Sequence, residues 1–182
     1  DNGLKDFLAG LEKGEKKISI IYRDKNGHIS AASNSALSIA KGEFVTFLDH
    51  DDKLHPHALA AVVSKLNKDK ELDILYSDED KIDGQGNRSD PFFKPGWSPD
   101  LLLSQNYTCH LSVYRKALLD ELNGIREGTD GAQDYDLILR ASERTKKIEH
   151  IPHVLYHWRA IEGSTAMGAH EKDYAHQRAI EV

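Results

Sequence analysis

The sequence has a single cysteine, Cys109, so an internal disulfide is excluded and nothing points to an oxidising compartment. No apolar run approaches the ~20 residues that span a bilayer. Excess positive charge is also missing: 24 Lys and Arg stand against 30 Asp and Glu, a formal charge of −6. That balance argues against nucleic-acid binding, which needs clustered cations, but leaves room for one small phosphate-bearing ligand. Neither G-x-x-x-x-G-K-[ST] nor G-x-G-x-x-G occurs, so a bound phosphate would not rest on a glycine loop of those kinds. H-E-x-x-H and C-x-x-C are absent as well, which removes the common zinc signatures.

What is present is a globular composition, 39% hydrophobic and 30% charged over 182 residues, enough for one domain with a core. The start at Asp1-Asn2-Gly3 and the end inside a helical pattern at Ala179–Val182 read as cuts in a longer chain. Leu4, Phe7, Leu8 and Leu11 recur at helical spacing. Ile18–Tyr22, Glu43–Leu48, Leu72–Tyr76 and Leu111–Tyr114 read as strands from their β-branched and aromatic content. Helices are expected over 30–41, after Pro56, over 99–103, near 118–122 and over 135–144, with 151–158 extended. The polar stretch 77–99 is long for a connector and reads as a functional loop or a small hairpin. Alternating strands and helices predict an α/β fold of three layers, α/β/α, around a mixed, mainly parallel sheet.

The chemistry concentrates at a few places. Asp49, Asp51 and Asp52 follow the apolar strand 43–48, where α/β sheets bind ligands beyond their carboxyl ends. Residues two apart on extended chain face one side, so Asp49 and Asp51 can aim at one point. Carboxylates brought together repel unless protonated or bridged by a cation, and oxygen donors suit Mg²⁺ or Mn²⁺. The alternative is an acidic turn that caps the helix near Pro56. Asp134, just before a helix, is either a general base or a first-turn acid, and Asp136 reads as the latter. His157 could offer a metal nitrogen, whereas His150 and His153 read as ordinary polar residues. Cys109 and His110 resemble a nucleophile and base, but neighbours on a strand point apart, so Cys109 reads as a small buried residue. Trp97, Tyr107 and Trp158 are either core residues or platforms for sugar rings, with Trp97 tilted toward binding by the prolines around it.

Taken together, Asn26 through Asn34, Gly42 through Asp52, Tyr76-Ser77-Asp78-Glu79-Asp80, Phe93 through Asp100, Gly131 through Arg140 and His153 through Arg159 resemble the family 2 glycosyltransferases of GT-A fold. The likeness is greatest to bacterial enzymes of O-antigen and capsule assembly. The resemblance implies an inverting transfer from a nucleoside-diphosphate sugar, of UDP or dTDP type, to a saccharide or lipid-linked saccharide acceptor. It implies that Asp49 and Asp51 form the D-x-D pair, that Asp134 is the base and that His157 is a later metal ligand for Mn²⁺ or Mg²⁺. It places Asn34 on the helix lining the nucleotide pocket, and Trp97, Gln133 and Trp158 where donor sugar and acceptor meet. One partial domain would divide into a nucleotide part (1–76), an acceptor and catalytic part (77–166) and a helical tail (167–182). A cytoplasmic setting is implied, with peripheral contact at the inner membrane face as an extension of it. The family's usual opening strands, ending near Pro-x-Tyr-Asn and Asp-Asp-x-Ser, have no counterpart here, which would leave a sheet edge open to self-association. The competing readings are a non-catalytic saccharide- or partner-binding module and a Mg²⁺-dependent phosphohydrolase.

Overall fold

The computed structural model describes residues 2–161 and 173–182. Residues 162–172, which hold the end of the expected acceptor part and the start of the expected tail, lie outside the described residues. The elements run α1 (Asn2–Gly14), α2 (His28–Ile39), β1 (Phe44–Thr46), β2 (Lys53–Leu54), α3 (Ala58–Lys68), β3 (Ile74–Ile82), β4 (Arg88–Phe92), α4 (Pro99–Leu102), β5 (Ser112–Arg115), α5 (Lys116–Glu121), α6 (Gln133–Arg144), β6 (Ile148–Arg159) and α7 (Asp173–Glu181). Among the described residues no helix is long and apolar enough to cross a membrane.

The sheet is mixed and ordered β1-β5-β3-β6-β2, with β4 paired to the outer half of β3. Its only parallel ladder among the described residues joins β3 to β6; the pairs β1–β5, β5–β3, β3–β4 and β6–β2 are antiparallel. The sheet is thus less parallel than the alternation of elements suggests. The reason is that β5 inserts between β1 and β3 running against both, and the polar stretch after Tyr76 folds back as the β3–β4 hairpin.

Side-chain alternation along the strands creates the layers. Ile74 and Tyr76 of β3 and Tyr114 of β5 join a cluster with Leu118, Leu119, Leu137 and Ile138, which packs α5 and α6 on one face. Leu75 and Val113, one residue out of phase, join Ala58 and Val62 of α3 on the other. The three-layer expectation therefore holds.

Ile18–Tyr22 is a correction: it forms no strand. A strand exists only through a ladder partner, and none pairs with this segment among the described residues. Ile18, Ile21 and Tyr22 lie exposed instead.

Candidate active site

Register brings three stretches of chain to one end of the sheet. Thr46 at the end of β1 faces Val113 near the start of β5, and Tyr76 faces Ser112, so the turn after β1 and the loop before β5 meet beside the second half of β3. The parallel partner β6 delivers Tyr156 and Trp158 to the same end. The first turn of α6 adds Gln133 and Asp134. These elements, with α2, enclose a cavity of about 800 Å³ on whose wall stand Asp49, Asp51, Gln133, Asp134 and Trp158.

The acidic turn is anchored from β6. Tyr156 donates its phenol proton to Asp52 Oδ2 at 2.5 Å, and the Arg159 amide donates to Asp52 Oδ1 at 2.8 Å. Arg159 Nε donates to the Asp51 carbonyl at 2.5 Å. Asp52 is therefore spent on architecture; burial raises its carboxyl above the usual range, against the pull of the Tyr156 bond. The Asp49 carboxylate has no protein hydrogen bond among the described residues, and Asp51 has only His50 at 3.8 Å. Two oxygen-donor side chains left open to one cavity fit a Mg²⁺ or Mn²⁺ ion, which takes one or two carboxylates and completes its shell with water and phosphate. No cluster of three or more potential ligands exists among the described residues, so such an ion would depend on the ligand it accompanies.

On α6, both oxygens of Asp134 are held. Asn106 Nδ2 donates to Oδ2 at 3.0 Å, and the Tyr135 amide donates to Oδ1 at 2.9 Å. Asp136 behaves as the structural acid, buried between Arg126 at 2.9 Å and Arg140 at 2.7 Å.

Four sequence expectations are corrected by geometry. His157 does not join Asp49 and Asp51. It lies between Tyr156 and Trp158 on β6, so the pleat turns it from the cavity, and its Nδ1 sits 2.5 Å from Asp80 Oδ1. Asn34 lies off the cavity as well. Ile29, Ala32, Ser33 and Ala36 are the residues of α2 on its wall, at helical spacing. Asn34 is turned toward Ile125, whose carbonyl and amide it bonds at 2.7 and 2.8 Å. Trp97 is not on the cavity wall; partly buried, it packs against the core beside Tyr107, ring centroids 6.3 Å apart, where Tyr107 bonds both backbone groups of Ser98. Cys109 and His110 do share the cavity wall, since they precede β5 rather than lying on it. Cys109 is half-buried, and burial followed by the charge of Asp134 pushes its thiol well up, the opposite of an activated nucleophile.

The sequence gives no sign that Glu79, Lys94 and His110 come together. Lys94, its side chain fully buried, donates to Glu79 Oε2 at 3.1 Å and to the carbonyls of Cys109 and His110 at 2.7 and 2.5 Å. Glu79 also accepts from the His110 amide at 2.5 Å and faces His110 Nδ1 at 3.2 Å. The imidazole stacks on Tyr156 (4.7 Å, 20°) and leans on Trp158 (5.2 Å, 45°). The only local signal is the run Asp78-Glu79-Asp80 following the apolar start Ile74-Leu75-Tyr76 of β3, all three acids buried. Asp78 and Asp80 find histidines of β6: His150 at 2.7 Å and His157 at 2.5 Å.

The sequence model of Glycosyl transferase family 2 matches residues 1–122, and the chain belongs to that family. It is 46% identical over 179 residues to the Sinorhizobium fredii protein y4gI, covering 96% of this chain and 20% of that protein. It is 48% identical over 160 residues to the O-antigen biosynthesis protein RfbC of Myxococcus xanthus, covering 88% of this chain and 12% of RfbC. With a chondroitin synthase of Pasteurella multocida the identity is 30% over 157 residues, 86% of this chain and 16% of the synthase. The chain thus spans a fifth or less of these relatives. Its fold is that of Staphylococcus aureus TarS 1-349, solved in complex with UDP-GlcNAc, with a TM-score of 0.69 at 23% identity over 90% of this chain and 48% of that one. This is the GT-A fold.

Proposed function

We propose that the protein carrying this chain is an inverting, metal-dependent glycosyltransferase that moves a sugar from a nucleoside-diphosphate sugar to a saccharide acceptor in cell-surface polysaccharide synthesis. The observation that carries the reading is the placement of Asp49 and Asp51, open-ended carboxylates after β1, on the same cavity wall as Asp134 at the start of α6. The names of RfbC, of the chondroitin synthase and of the TarS complex support the substrate class.

In this reading residues 1–76 serve the nucleotide and residues 77–166 the acceptor, within one domain. Asp49 and Asp51 would hold Mn²⁺ or Mg²⁺, whose charge offsets that building on the departing diphosphate. Asp134, fixed by Asn106 and the Tyr135 amide, takes the proton of the acceptor hydroxyl. The acceptor oxygen bonds to the anomeric carbon as the bond to the diphosphate breaks on the opposite face, through an oxocarbenium-like state. Gln133 and Trp158 offer a hydrogen-bonding amide and an aromatic face to the sugars.

Product analysis of the full-length protein with a panel of nucleoside-diphosphate sugars and oligosaccharide acceptors tests this. Release of nucleoside diphosphate that requires acceptor, and a kcat lower by roughly 10²–10⁴-fold in Asp134→Asn, is expected. Release of inorganic phosphate without acceptor, or full activity in a folded Asp134→Asn, would contradict it.

A further inference from the structure

A diphosphate carries negative charge into whatever cavity takes it, and the walls of this one offer little to meet it. Among the described residues no Lys or Arg lines the cavity, while Asp49, Asp51 and Asp134 do. The basic side chains on its wall are His50 and His110. His50 is 97% exposed and leans toward Asp51, so nothing fixes its position.

His110 is built in. Its backbone is gripped on both sides of its Cα, with the amide donating to Glu79 and the carbonyl accepting from Lys94. Its ring is flanked by Tyr156 and Trp158. The Glu79 carboxylate accepts hydrogen bonds and so places a proton on Nδ1, 3.2 Å away. That leaves Nε2. Among the described residues no protein group bonds it, and no side-chain nitrogen or oxygen there is buried without a partner. It is therefore accessible, on a residue of the cavity wall.

We propose that His110 Nε2 donates a hydrogen bond to a non-bridging oxygen of the donor's diphosphate, with Glu79 and Lys94 as the positioning residues that aim it. The inference rests on the glycosyltransferase reading above and adds to it a cationic contact from the protein. The electrostatics agree. Burial pulls the imidazole down, but the Glu79 hydrogen bond and charge, with Asp134, raise it overall against the opposing charge of Lys94. Asp52 is the further carboxylate that feels it, from the anchored turn. An imidazolium whose Nδ1 is already engaged has one donor left to give.

The test compares paired ligands on the full-length protein with Mn²⁺: UDP, dTDP and GDP, and the nucleosides uridine, thymidine and guanosine. His110→Gln removes the charge and keeps a polar side chain of similar reach. A charge-assisted hydrogen bond predicts about a tenfold weaker Kd for the preferred nucleoside diphosphate and less than about a twofold change for its nucleoside. Glu79→Gln, which leaves the imidazole in place but unaimed, should weaken the diphosphate in the same direction and again spare the nucleoside. Equal losses for diphosphate and nucleoside would mean that the substitution disturbs the whole pocket, and an unchanged diphosphate affinity in a folded His110→Gln would mean that no such contact forms. Either result overturns the inference while leaving the transferase reading intact. Failure of the wild type to bind any of the diphosphates would remove both.

Discussion

Tyr156 reaches from β6 to Asp52, and through that 2.5 Å bond it fixes the turn that presents Asp49 and Asp51. The same phenol accepts the Asp49 amide proton at 3.4 Å, and the same ring supports His110 at 4.7 Å. One side chain therefore braces both the acidic and the basic wall of the cavity. Tyr156→Phe keeps the ring and loses the bond, leaving a half-buried carboxylate short of one donor. The expected cost is about 1.5–3 kcal/mol in urea unfolding, accompanied by weaker Mn²⁺-dependent nucleotide binding. Unchanged stability and affinity would show that the turn holds its shape without β6.

The Glu79–His110 pair predicts a pH window. Burial works against ionisation of Glu79, but the His110 hydrogen bond and the charge of Lys94 bring its carboxyl below the ordinary 4.5. A depressed acid contributes stability that is present above its ordinary value and lost as pH falls through the folded one. His110 is raised above the ordinary 6.5, so its contribution is complete below that value and lost as pH rises through the folded one. Both are present between about 4.5 and 6.5. The stability difference between wild type and His110→Gln, from urea midpoints across pH 4–9, should peak in that window and shrink on both sides. A pH-independent difference would contradict the pairing.

Asn34 separates the geometry from the family expectation. Its amide closes two bonds onto the backbone of Ile125, and the neighbouring Gly124, at φ +70°, has room for no side chain because a Cβ would come within 2.5 Å of Asn34 Oδ1. Asn34→Ala should destabilise by about 1–3 kcal/mol and leave the donor KM of the folded enzyme unchanged. A large rise in donor KM with normal stability would place Asn34 in the donor site after all.

The acidic turn was legible because its signal is local: an apolar strand, then charge, at the end of an α/β unit where ligands gather. The Asp134 position was legible for a similar reason, as an acid at the head of a periodic helix. The order of layers followed from periodicity, but the direction of β5 did not, since an inserted antiparallel strand leaves no mark in composition. Ile18–Tyr22 has strand chemistry and no strand, because propensity cannot supply a ladder partner. The bracket of Glu79, Lys94 and His110 was invisible. Its members are separated by 15 to 31 positions, and three successive acids read as a polar loop until their buried partners are known. His157 and Asn34 show the opposite failure: the residue type stands where the pattern wants it, but the pleat of β6 and the turn of α2 direct it elsewhere.

In the proposed function Asp49 and Asp51 hold a metal-bound nucleoside diphosphate. Calorimetric titration of UDP and the other nucleoside diphosphates into the full-length protein, with and without Mn²⁺, tests it most directly. Saturable binding that needs Mn²⁺, falls by about 100-fold or more in Asp51→Ala and leaves the melting temperature of that variant unchanged or higher is the predicted result. Binding that ignores Mn²⁺, or that survives intact in Asp51→Ala, would contradict it.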